Sequence, residues 1–175
     1  MNKKGILRAL LIVVTLAVNV GCDQISKAIV RDRIEETEQI SIINPYVRLM
    51  RVENEGAFLS LGNSLPKTVR FIVLALFPLA VLGFGLGYLF FKRNIKRSVL
   101  LGFAFVIGGG MGNLYDRIVY GSVTDFMHID FVVFQTGIFN MADVSIMTGI
   151  AIVLLGSFIK NEQNETPSPE EGSFL

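Results

Sequence analysis

The sequence has one cysteine, Cys22, and one histidine, His128, in 175 residues. A single thiol excludes an internal disulfide and a cysteine-based metal site, and a single imidazole excludes a histidine cluster. Charge is scarce too: Asp, Glu, Lys and Arg make up 18% of the chain, against about 25% in an ordinary soluble domain. The formal net charge is only +1, which gives no bulk electrostatic basis for binding nucleic acid. The deficit is concentrated: Phe71 to Phe91, Ser98 to Tyr115 and Val144 to Ile159 carry no charge at all. With 51% hydrophobic residues, this pattern excludes a disordered chain, a collagen, a coiled coil and an ordinary soluble globule. The length suits a single domain.

What is present is a set of four apolar segments. A bilayer core of about 30 Å needs about 20 mostly apolar helical residues. Spans are expected over about 5–22, 71–91, 98–115 and 137–159. Arg8 lies near one end of the first, where its stem can reach the headgroups. Asp143 falls in the first turns of the fourth. Basic residues in short loops set orientation. Lys3, Lys4 and Arg8 precede span one, and Lys92, Arg93, Lys96 and Arg97 fill the turn between spans two and three. Both places read as cytoplasmic, with both termini inside, which leaves the loops 23–70 and 116–136 outside. Residues 1–160 form the membrane domain, and 161–175, polar and bearing Pro167 and Pro169, read as a disordered cytoplasmic tail. Gly83 and Gly87 in span two, and Gly108 and Gly112 in span three, are spaced for close helix packing.

Residues 40–61 have β-type composition, with a turn at Asn44-Pro45, and predict a small hairpin sheet at the membrane surface. Phe126 to Phe134 is apolar and aromatic, and periodicity leaves it either a short interfacial helix or an extended segment. Residues 1–22 also resemble a secretory leader ending at Val20-Gly21-Cys22, as in a bacterial prolipoprotein. Asn19, where such leaders carry an aliphatic residue, and the three later spans oppose that reading. Cys22 is expected as a buried small residue at a helix end.

Polar residues interrupt this apolar background at the expected outer ends of the first, third and fourth spans. Asp23 and Lys27 stand four apart after span one, Asn113, Asp116 and Arg117 close span three, and Asn140 and Asp143 open span four. Each group shares one helical face. Asp125 lies in the loop between the last two spans. Ionisable residues at membrane depth are functional candidates. Ser122 with His128 and an acid could imitate a hydrolase triad, although no nucleophile elbow surrounds Ser122. Two carboxylates make a better engine. If Asp125 and Asp143 face one another they would share one proton, the ionised acid activating a water and the protonated one polarising a carbonyl. A purely structural polar cluster, or a small multi-pass transporter or channel, is the alternative; no charged residue lies near mid-membrane to serve ion passage.

Five ordered stretches carry a family resemblance. They are Asp23-Gln24-Ile25-Ser26-Lys27, Asn54-Glu55-Gly56-Ala57-Phe58-Leu59-Ser60, Gly109 to Arg117, Val123-Thr124-Asp125-Phe126, and Phe139 to Ile146. Together the sequence resembles lipoprotein signal peptidase, the bacterial type II signal peptidase. The resemblance implies a membrane protein, mainly α, with a four-helix transmembrane bundle and a small extracytoplasmic β-sheet cradle in the bacterial inner membrane. It implies an aspartic endopeptidase with Asp125 and Asp143 as catalytic residues, acting on diacylglyceryl-modified prolipoproteins just before the lipidated Cys. No metal or organic cofactor is implied. The expected partners are the lipid-modified substrates and membrane lipids, with no nucleic acid, and a monomer is expected. Asp23, Lys27, Asn54, Gly56, Asn113, Asp116, Arg117 and Asn140 would line or support the site. Asp116 is expected to pair with Arg117 or Lys27.

Overall fold

The computed structural model describes residues 3–57, 62, 64–92, 94–131 and 133–163, with side chains through Phe158. Phe58, Leu59 and Ser60 of the second motif, Arg93 of the basic turn and residues 164–175 of the expected tail lie outside the described residues. The chain forms α1 (Lys3–Arg33), β1 (Gln39–Ile43), β2 (Val47–Asn54), α2 (Lys67–Phe71), a π-helical turn (Ile72–Leu76), α3 (Phe77–Phe91), α4 (Arg97–Val119), β3 (Val123–Ile129) and α5 (Met141–Gln163). Among the described residues four helical stretches, with α2, the π turn and α3 counted as one, are long and apolar enough to cross a membrane. Their outward faces carry large apolar side chains such as Leu7, Phe84, Phe91 and Phe158, as lipid contact requires.

The first helix departs from expectation. It does not stop at Cys22 but runs on for eleven residues to Arg33. Its 31 residues extend about 46 Å at 1.5 Å per residue, well beyond a hydrocarbon core. The continuation is tolerated because Asp23, Lys27 and Val30 turn inward and are buried. Cys22 is exposed and lies eleven residues before the helix ends, so it is neither buried nor at a helix end. Arg8 has a more specific task than reaching headgroups. Its Nη2 donates to the carbonyl oxygens of Leu89 at 2.7 Å and Lys92 at 2.5 Å, satisfying the open carboxyl end of α3. The start of α1 and the α3–α4 turn therefore share one end of the bundle.

Pro66 opens α2, where a missing N–H costs nothing. Pro78 lies in the first turn of α3; its ring crowds the carbonyl four residues back, and the π turn immediately upstream absorbs that mismatch. The core joins Ile12, Leu89, Leu100, Ala104 and Ile107. Between α4 and α5 the helices touch through glycine. A Cβ on Gly109 would overlap the Ala142 carbonyl and come within 2.9 Å of Ile146 Cγ1. Gly108 meets Asn19, and Gly112 meets the Asp23 carboxylate. Gly83 and Gly87 have open space around them, so packing of span two does not rest on that pair. Gly109→Ala is expected to cost about 1–3 kcal/mol by overpacking, while Gly83→Ala is expected to be neutral; thermal unfolding of the two variants in detergent checks the contrast.

The three strands form one antiparallel sheet in the order β1-β2-β3. Phe126 to Ile129 is thus strand, not helix. Residues Val30 and Ile34 pack on Phe126, with Leu49, Met127 and Met141 around them, so the sheet rests on the overhanging end of α1.

Candidate active site

At the sheet end of the bundle, charge is gathered in two layers. The lower layer is a closed ionic cluster. Lys27 Nζ lies 2.8 Å from Asp23 and 3.1 Å from Asp116, and Arg31 Nη2 lies 3.0 Å from Asp116. Asp23, Lys27 and Asp116 are fully buried, which is tolerable only because two acids meet two bases. Asp116 pairs with Lys27, as expected, and with Arg31, not with Arg117. Arg31 is a participant that sequence reasoning missed, although its place four residues after Lys27 on the face of Asp23 was a signal. It also donates to Thr124 Oγ1 at 2.8 Å and lies 4.0 Å from the Tyr120 ring centroid. Gln24, also missed, donates to Asp23, the Gly112 carbonyl and Asp116.

The upper layer holds the two remaining acids. Asp125 comes from β3 and Asp143 from the first turn of α5. Asn140 and Asp143 form a reciprocal cap: the Asp143 N–H donates to Asn140 Oδ1 at 3.1 Å, and the Asn140 N–H donates to Asp143 Oδ2 at 3.1 Å. The next orphan donor, the Ala142 N–H, is taken by Asp23 Oδ1 at 2.9 Å. Asn140 Nδ2 then reaches across to Asp125 Oδ1 at 2.6 Å, so one asparagine links both carboxylates. Asn54 is a diagonal neighbour of Asp125 across β2 and β3, and its Nδ2 donates to Asp125 Oδ2 at 3.0 Å. Asn113 Nδ2 donates to Asp143 Oδ1 at 2.9 Å.

Each of these three amides is pinned by a second bond to its oxygen. Asn54 Oδ1 accepts the Gly56 N–H, Asn113 Oδ1 accepts Lys27 Nζ and Asn140 Nδ2, and Asn140 Oδ1 accepts the Asp143 N–H. None can flip without losing that bond, so each presents an N–H to a carboxylate. Burial pushes the Asp125 carboxyl up to about 6; the Asn54 hydrogen bond opposes it, the Asp143 charge adds to it, and the Asn140 bond and Lys27 oppose it. Arg117 donates to the carbonyls of Gly56 at 3.0 Å and Asn113 at 3.4 Å, tying α4 to the end of β2.

The sequence-derived residues therefore separate by place. Asp125, Asp143, Asn54, Asn113 and Asn140 meet directly, Gly56 and Arg117 border them, and Asp23, Lys27 and Asp116 lie beneath. The imagined triad does not form: Ser122 Oγ donates to Glu53 at 2.8 Å, and His128 stands on β3 opposite Arg48. Among the described residues no three His, Cys, Asp or Glu side chains are grouped to hold a metal ion.

The chain as a whole has known relatives. The family model for signal peptidase (SPase) II matches residues 14–159. A lipoprotein signal peptidase of Maridesulfovibrio salexigens is 33% identical over 91% of this chain and 99% of its own length. One of Streptococcus pneumoniae is 32% identical over 90% of this chain and 97% of its own. A bacterial membrane enzyme solved by the in meso method at 2.3 Å resolution superposes with a TM-score of 0.75 at 19% identity, covering 91% of this chain and 94% of that one. The last shares the fold. The chain belongs to the signal peptidase II family and is a peptidase built on membrane-spanning helices.

Proposed function

We propose that the protein is an aspartic endopeptidase that removes the signal peptide from diacylglyceryl-modified prolipoproteins, cutting before the lipidated Cys. The observation that carries this reading is the pair Asp125 and Asp143, joined through Asn140 and fixed by three oriented amides. In the orientation that the basic ends favour, both termini are cytoplasmic and the pair works at the extracytoplasmic face, with residues 1–160 as one membrane domain. A water bound between the carboxylates is the nucleophile. Asp143, ionised, takes its proton as the water oxygen attacks the scissile carbonyl carbon. Asp125, protonated, donates a hydrogen bond to the carbonyl oxygen. Collapse of the tetrahedral intermediate breaks the C–N bond, and a proton from the pair goes to the leaving amine. Lys27 supports this site by fixing Asn113, Asp23 by holding the start of α5, and Asp116 by holding Lys27 and the Thr124 N–H next to Asp125. The lipid tails and the signal helix stay in the bilayer, which restricts the search to two dimensions and supplies binding energy remote from the reacting bond. The direct test is cleavage of a synthetic diacylglyceryl precursor by the purified protein, with the product mass read at the bond before the modified Cys; an intact precursor would refute the proposal.

The titration of Asp125 gives a signed expectation. With its carboxyl at about 6, kcat/KM falls as pH rises through about 6 and the shared proton is lost. The Asn54 amide favours the ionised form, so Asn54→Ala raises the Asp125 pKa and moves that limb to higher pH. A pH profile of both proteins checks the direction; a shift to lower pH would remove Asp125 as the proton carrier.

A further inference from the structure

A cleft of about 390 Å³ lies between the start of the second span and the end of α4. Its floor is Phe71, Leu74 and Ala75; its rim includes Lys67, Arg70, Arg117, Glu53 and Glu55. Both acids are already engaged. Glu53 accepts from Ser122 at 2.8 Å and Thr124 at 3.0 Å and faces Arg51 at 3.2 Å. Glu55 is held by Arg70 at 2.6 Å. The cations are not all matched. Lys67 is exposed and makes no ion pair among the described residues, and Arg117 Nε is buried without a hydrogen-bond partner there. Arg117 lies in the field of Asp125, Asp143 and Asp116, so the rim cation left without an acid among the described residues is Lys67.

The cleft also connects to the chemistry. Arg117 holds the Gly56 carbonyl, the Gly56 N–H is held by Asn54, and Asn54 holds Asp125. The rim belongs to the polar end of the bundle, whereas a signal helix must lie among the spans. We propose that this cleft receives the first residues after the lipidated Cys and favours a carboxylate side chain there. This rests on the peptidase reading above and adds a charge preference on the mature side of the bond.

The experiment uses the full chain in phosphatidylcholine bilayers and three diacylglyceryl precursors with Asp, Asn or Lys at the two positions after the modified Cys. The Asp precursor is expected to show a KM about fivefold below the Lys precursor, as one exposed ion pair allows, with similar kcat. Lys67→Glu is expected to reverse the order and Lys67→Gln to flatten it. Equal KM values, or an order unchanged by both variants, would overturn the assignment while leaving the peptidase intact. A preference seen only when phosphatidylglycerol is added would assign the cations to lipid and also overturn it. Failure to cut any of the three would refute the peptidase reading, and this inference with it.

Discussion

Asp143→Asn is expected to lower kcat at least about a thousandfold, because the base that takes the proton from water is lost. Asp125→Asn is expected to match it, and the double variant to be little worse than either, since the pair acts as a unit. Neither change is sterically demanding, yet each has a definite structural cost. All four carboxylate oxygens accept from an N–H whose owner is pinned by another bond. An asparagine must turn its own NH2 toward one of these donors, leaving an unsatisfied pair worth about 1–3 kcal/mol. Cleavage should therefore vanish while the protein still inserts and unfolds cooperatively a few degrees lower. A variant at either position that keeps a tenth of wild-type activity, measured by precursor cleavage, would remove that residue from the chemistry.

The second large effect is on stability. Lys27→Met keeps the side-chain volume but leaves Asp23 and Asp116 facing one another with Arg31 as the remaining cation. Breaking a buried ion pair from one side costs about 3–5 kcal/mol, and here Asn113 also loses the donor that orients it. Thermal unfolding in detergent should show a marked drop. Adding Asp23→Asn to Lys27→Met should recover part of it, since one buried negative charge is then removed. A single variant as stable as wild type would show that the cluster's net neutrality does not matter.

The spans were legible because lipid demands long uncharged runs, and the sequence has three of them without exception. The site was legible for a related reason. Asp23, Lys27, Asn113, Asp116, Asn140 and Asp143 are polar where hydrocarbon or its border would exclude them, and their helical spacing put them on shared faces. The true length of α1 was not legible. Residues 23–33 contain five charged side chains, and hydropathy reads such a stretch as loop. The charges are acceptable in a helix because Asp116 and Thr124, about ninety residues away, neutralise or bind them. The segment from Phe126 was left open between helix and strand for a similar reason: the strand it belongs to, Val123–Ile129, is covered on both faces at its start, so no alternation is visible. The orientation of the three amides was beyond sequence altogether, since each depends on a second partner brought by the fold.

The overhang of α1 has a mechanical consequence. One acid is fastened to the helical bundle and the other to the sheet, and the sheet is seated by Val30 and Ile34, above the membrane portion of that helix. The gap between the two halves of the pair is thus gauged by a post standing clear of the lipid. Shortening that post would unseat one acid and leave every buried segment in place.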